Sequence, residues 1–309
     1  MKPIPPSENI FRRMTWLTLM VTIVLTTGLG GAVTSAEVGM AYPTWPNLNG
    51  WSLFNFFYAD IAEQFGIGAS LEHTHRQAGT LLGLLSIFLF VVAWRPNLRE
   101  SYPNLRRLAA INLILVIVQG LLGAFRVLGN VQVVAIFHAI GAQAIVVCLV
   151  ALLKNSCTRP APANSPMTLR VQLWSLVGLF LLFLNLLAAA SLRHKLAAFS
   201  GHLVLALLTT GVLMYAVRLS FQASQNAQGL RTDAKRLLHF LGAQVALGIA
   251  TWFFILGPLA SNFENDQNRF LVQNILATSH LVVGMCVMGA AAALFLESRK
   301  SLRYSPNQV

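Results

Sequence analysis

Long apolar runs alternate with short polar, mostly basic joints along the whole chain. A helix needs about 20 apolar residues to cross a bilayer core of about 30 Å, and eight runs approach or reach that length: Met14–Ser35, Glu72–Trp94, Leu108–Gly129, Gln132–Leu153, Val171–Leu192, Ala198–Val217, Leu237–Gly257 and Val272–Leu296. The pattern predicts an all-α polytopic membrane protein of eight transmembrane helices. The first run is long and has no small-residue cleavage site followed by a soluble domain, so it is expected to be a retained span rather than a signal peptide. The second half repeats the first weakly. Gln119 and Gly123 of span three recur at the same Q-x-x-x-G spacing as Gln244 and Gly248 of span seven, and His138 of span four recurs as His280 of span eight. The expectation is two tandem pseudo-symmetric four-helix bundles related by an axis along the bilayer normal: residues 1–156, a basic Pro-containing linker over 157–170, and residues 171–309.

Composition sharpens this. With 56% hydrophobic residues, 10% charged and a mean hydropathy of +0.64, the chain is too apolar for a soluble protein. A net charge of +12 could suggest a nucleic-acid partner, but the basic residues alternate with the spans instead of forming a patch. Of the 22, all but Arg76, Arg126, Arg193, Lys195 and Arg269 fall at one side of the spans. The positive-inside rule then places both termini and the linker in the cytoplasm, and makes the loops after spans one, three, five and seven external. Cys148, Cys157 and Cys286 offer neither a disulfide framework nor zinc spacing and are expected to be small buried hydrophobes.

The chemistry concentrates in Leu71–Gly83, where a carboxylate, two imidazoles and a guanidinium stand at the mouth of span two. Ionisable groups are costly in a bilayer, so such a cluster marks a functional site by default. On a helix Glu72, His75, Gly79 and Gly83 share one face, while His73 points almost the opposite way. His75, His138, His202 and His280 all lie within roughly 5–12 Å of the start of an even-numbered span, at 1.5 Å per residue. Two imidazoles at matching depth on neighbouring helices could face each other across a flat macrocycle. Haem is expected over zinc, because no cysteine or carboxylate set accompanies them. Arg76 is placed to pair with a propionate or to snorkel to the interface. Glu72 is placed to move protons or to hold Arg76. His239 and His194 lack this register and receive no ligand role. The long loop over 36–71, with Trp45, Trp51, Phe54, Phe56, Phe57 and Tyr58 but no Lys or Arg, is expected to form a short interfacial helix, a lid or a membrane anchor.

The whole chain resembles the haem A synthase family of respiratory-chain assembly enzymes. The likeness rests on G-G-A-V-T-S followed by G-M-A-Y-P-T-W-P-N-L-N-G, on E-H-T-H-R, on Q-G-L-L-G-A-F-R, on F-H-A-I-G-A-Q, and on the later histidines of spans six and eight. It implies an inner-membrane oxidoreductase that converts a methyl group of haem O to the formyl group of haem A at an external-side pocket, with haem B as cofactor. By position, Glu72 resembles the catalytic carboxylate, His75 and His138 the iron ligands of the substrate haem with Arg76 beside them, and His202 and His280 the iron ligands of haem B. Implied partners are membrane lipid, the enzyme that supplies haem O and an electron donor; a homo-oligomer is allowed and nucleic acid is not expected. The chain departs from the family pattern in three places: Met40-Ala41-Tyr42-Pro43 and Asn47-Leu48-Asn49 stand where many members carry an external cysteine pair, Leu203 follows the span-six histidine in place of arginine, and the loop between spans five and six is very short. A di-haem electron-transfer cytochrome and a non-catalytic haem-holding assembly protein are the competing readings.

Overall fold

The computed structural model describes residues 6–39, 44–47, 50, 52–129, 131–156, 165–223, 228–260 and 266–300. Among them there is no strand, and eight helices are long and apolar enough to cross a membrane: Ser7–Ser35, Ile67–Ala93, Asn104–Gly129, Gln132–Asn155, Pro166–Arg193, Phe199–Ala223, Gln228–Leu256 and Gln267–Arg299. These are the eight expected spans. All spans but four and six begin earlier than the hydropathy suggested, because a helix continues through polar turns that need not lie in lipid. Two short helices, Tyr58–Phe65 and Pro96–Ser101, occupy connections. The first lies within the long loop, where an interfacial helix was one expectation; the expected cysteine-pair positions Met40–Pro43 and the linker residues 157–164 lie outside the described residues.

Helix is what the lipid requires, since only internal hydrogen bonds can satisfy backbone groups there. Side-chain hydroxyls obey the same rule: Thr15, Thr18 and Thr22 in span one each donate to the carbonyl four residues earlier, at 2.7–2.8 Å. Large apolar residues such as Val24, Leu84, Ile114, Phe180 and Leu207 are exposed, which suits a surface facing acyl chains. Neighbouring helices approach on small residues. A Cβ on Gly178 of span five would collide with Leu213 of span six, and one on Gly289 of span eight would touch Val146 of span four.

Span eight is the most enclosed helix and span seven the most peripheral. Span eight packs on spans one, four, five and seven, so it bridges the first four spans to the last four. Two polar ties reinforce that bridge. At the end of the bundle that carries the histidines, Arg193 of span five donates through Nη2 to the Gly31 carbonyl at 2.7 Å and to the Ser35 hydroxyl of span one. At the opposite end Lys154 of span four meets Asp233 of span seven and, at 2.9 Å, Glu297 of span eight. Arg236 and Lys300 complete the network at 3.4 and 3.2 Å. Asp233 and Glu297 are 0% and 1% exposed, so removing their shared cation would leave buried carboxylates short of a partner.

Lys154→Met should therefore lower stability by about 3–5 kcal/mol, the usual cost of breaking a buried pair, with Arg236 and Lys300 offsetting part of it. Thermal unfolding of the purified protein in detergent measures this; an unchanged midpoint would show that the network does not hold the bundle together.

Candidate functional site

The four register histidines form two pairs. His75 faces His138 with ring centroids 6.4 Å apart and planes at 83°. His202 faces His280 with centroids 6.4 Å apart and planes at 86°. Two metal–imidazole bonds of about 2.0 Å in line, plus roughly 1 Å from each nitrogen to its ring centre, span about 6 Å. Both pairs are thus spaced as opposite ligands of one metal ion.

Each ring is placed by its neighbouring odd-numbered span. A Cβ on Gly30 would stand 2.8 Å from His75 Cε1, one on Gly123 would stand 3.3 Å from His138 Cε1, and one on Gly248 would stand 3.0 Å from His280 Cε1. Glycine at these positions makes room for the imidazole itself. The backbones of Thr26, Gln119, Asn185 and Gln244 flank His75, His138, His202 and His280 in turn. Thr26 lies in a π-helical turn over Val21–Thr27, a feature that recurs at functional sites. None of the four Nδ1 atoms makes a direct hydrogen bond among the described residues. Gln119 Nε2 donates to the His138 carbonyl at 2.7 Å, and Gln244 Nε2 lies 3.3 Å from His280 Nε2. The repeated Q-x-x-x-G spacing therefore marks residues that shape the histidine seats.

The surroundings of the pairs differ. Beside His75, Arg76 Nη2 contacts Glu72 Oε1 at 2.6 Å, and Arg76 Nη1 donates to the Thr44 carbonyl at 2.8 Å and the Asn47 carbonyl at 3.4 Å. Glu72 is buried. The structure thus brings Glu72, His75, Arg76 and His138 together, with Arg76 also tying the long loop to span two. In the second half the positions three before and one after His202 are Phe199 and Leu203; the Phe199 ring stands 6.5 Å from that of His202. Arg193 is committed to span one. His194 caps span five, outside both pairs; burial first, then the cations Arg126 and Arg193, hold its pKa below the ordinary histidine value. His239 contacts the Lys235 carbonyl at 2.6 Å, away from both pairs.

Sequence reasoning passed over His73, which is fully buried and holds the loop through the Asn55 carbonyl at 2.6 Å. Its i,i+4 partner Gln77 was the available signal: two polar residues on one face of an apolar helix call for a common partner. Arg126 was also missed as a neighbour of His138 and His194.

The donor set can be tested against the haem that the sequence suggests. Among the described residues no three His, Cys, Asp or Glu side chains converge, so each pair offers two ligands where a zinc site needs three or four. A porphyrin itself supplies four nitrogens, so the two imidazoles of each pair would suffice to complete the ligation of its iron. On the His75 face of span two, positions 79 and 83 would carry a Cβ with nothing within 4 Å, a flat approach of the kind a macrocycle needs. The residues present fit haem.

Comparison with known families matches residues 57–201 to COX15-CtaA, cytochrome oxidase assembly protein. The match spans 145 of the 309 residues, just under half of the chain. The matched stretch contains Glu72, His75, Arg76 and His138 and stops just short of His202. No curated protein matches the chain. The match supports a role in cytochrome oxidase assembly, and the eight apolar helices fit a multi-pass membrane protein.

Gly30→Ala should push the His75 ring from its seat and weaken haem binding at the first pair by about tenfold or more, as perturbed ligand supports commonly do, while leaving the second pair intact. Spectrophotometric haem titration of the purified variant reads this out; wild-type affinity at both pairs would contradict the seating role.

Proposed function

We propose that this protein is a haem A synthase: it oxidises a methyl substituent of haem O to a formyl group at the His75/His138 pair, and the His202/His280 pair holds a haem B cofactor. The observation that carries this reading is that two pairs with the same 6.4 Å spacing have opposite surroundings. A carboxylate and a guanidinium flank the first, whereas Phe199 and Leu203 flank the second. A cofactor that passes electrons needs only ligation and a dry wall, while a reacting substrate needs groups that handle protons.

The two halves are then pseudo-symmetric bundles, 1–156 and 171–309, with one haem each. The charge pattern supports termini in the cytoplasm and a histidine end toward the external face of a cell membrane, the inner one in a double-membraned cell. Bound haem supplies the oxidative and electron-transfer chemistry. The chain's part is positioning. His75 and His138 fix the plane and depth of the substrate macrocycle. With water as the source of the formyl oxygen the conversion balances as methyl plus water giving formyl plus four protons and four electrons; Glu72, one helical turn from His75, accepts protons so released, and the electrons pass to a membrane redox partner. Arg76 holds that carboxylate in place at 2.6 Å, and its remaining donors serve the Thr44 and Asn47 carbonyls or a propionate at the mouth. The enzyme that supplies haem O and a membrane redox partner that exchanges electrons with the site are the partners this chemistry requires.

The equal spacing of the pairs favours one second reading, a di-haem electron-transfer cytochrome with no product. Glu72→Gln keeps the shape and can still bond Arg76. In cells supplied with haem O it should retain haem but lose haem A formation by about 10²–10⁴-fold, the usual weight of a positioned acid or base, as read by chromatography and mass determination of extracted haems. Haem A at the wild-type rate would remove the catalytic role and favour the electron carrier. His202→Ala or His280→Ala should strip the tightly bound haem from the purified protein; unchanged haem content would dismantle the second-half assignment.

A further inference from the structure

One stripe of span two runs Ser70, His73, Gln77, Leu81, Leu84, Phe88 and Val91, at helical spacings of three and four. Its second part is apolar and exposed, as a lipid-facing stripe should be. Its first part is polar and is covered by the chain from Leu53 to Tyr58. Gln77 Nε2 donates to the Leu53 carbonyl at 3.1 Å and the Asn55 carbonyl at 2.9 Å, and Ser70 Oγ donates to the Tyr58 carbonyl at 3.0 Å. His73 Nε2 lies 2.6 Å from the Asn55 carbonyl, and the Tyr58 hydroxyl bonds the Gln77 side-chain oxygen. Within the segment, the Asn55 side chain accepts from the Phe57 amide at 2.8 Å.

Depth gives this arrangement its meaning. At 1.5 Å per residue Gln77 stands about 25 Å from Trp94 at the far end of the span, inside a hydrocarbon layer of about 30 Å. Irregular backbone is tolerated at that level only where protein satisfies its polar groups. The Leu53 and Asn55 carbonyls are so satisfied, by side chains that would otherwise be costly polar intrusions on a lipid-facing stripe. The aromatic side chains of the same segment turn away from span two: Phe54, Phe56 and Phe57 are 66%, 65% and 70% exposed. A hollow of about 630 Å³ lined by Gly50, Ser52 and Phe54 to Phe57 opens here, away from the histidine pairs.

We propose that residues 52–57 form a re-entrant strap immersed in the acyl chains of one leaflet, with Phe54, Phe56 and Phe57 as its lipid contacts and His73 and Gln77 as its seat. The occupant of this surface is lipid, because the strap continues the exposed apolar stripe of Leu81, Leu84, Phe88 and Val91 and lies at hydrocarbon depth. The same turn of span two carries Arg76, which binds the Thr44 and Asn47 carbonyls and Glu72. Strap, loop and site carboxylate therefore hang on one helical turn. This inference stands independently of the haem reading.

The test uses the full chain in phosphatidylcholine vesicles whose acyl chains carry a photoactivated diazirine, with labelled residues mapped by mass spectrometry. Phe54, Phe56 and Phe57 should be labelled alongside Leu84 and Val91, while Asp60 and Glu63 on the short helix should not. A strap left unlabelled while Leu84 and Val91 are labelled would overturn the proposal, as would labelling of the three phenylalanines by a water-borne carbene reagent, the result expected of a protein-docking surface. In Gln77→Leu the acyl labelling of the strap should be lost and aqueous labelling gained; an unchanged pattern would overturn the seat assigned to Gln77.

Discussion

A polar group inside a bilayer must find its partner within the protein, and this constraint organises the molecule. It makes every span a helix, sends the span-one threonine hydroxyls back to their own backbone, and gives Lys154 two buried carboxylates. The same constraint makes the histidines informative. An imidazole in an apolar helix is tolerated when something bonds it, yet the Nδ1 atoms of His75, His138, His202 and His280 have no direct partner among the described residues. Their rings face one another in pairs at the separation of two ligands on one metal. That spacing leaves room for a group held between the rings, while the backbones of Thr26, Gln119, Asn185 and Gln244 back them from the odd-numbered spans.

The sequence made the parts set by local composition legible: eight spans, one face for Glu72 and His75, and four histidines at similar depth. Even the Q-x-x-x-G echo proved meaningful, since Gly123 and Gly248 seat His138 and His280. What it hid depends on which helices become neighbours. Lys154 meets Asp233 and Glu297 across 79 and 143 residues of chain, and Arg193 reaches Gly31 across 162. No local pattern announces such partners. His73 was hidden for a different reason: its face is turned from the site, and its partner is loop backbone, whose path hydropathy does not encode.

The two ends of the bundle do different work. The buried ionic network at one end joins spans four, seven and eight, and its partners are all protein. At the other end small residues back the imidazoles and a carboxylate–guanidinium pair borders only the first pair. Stability and reactivity are thereby kept apart, so the site can differ between halves while the frame repeats. The COX15-CtaA match over residues 57–201 covers spans two to five, and the ionic pair stands in span two.

The proposed function requires that each histidine pair be able to hold one iron between its rings, whose planes stand at 83° and 86°. Electron paramagnetic resonance of the ferric, haem-loaded full chain tests this most directly, because the angle between axial imidazoles controls the anisotropy of the low-spin signal. The expected spectrum is low-spin and strongly anisotropic, as for crossed imidazoles. A high-spin spectrum, or the rhombic low-spin signal of parallel rings, would contradict the paired-ligand arrangement.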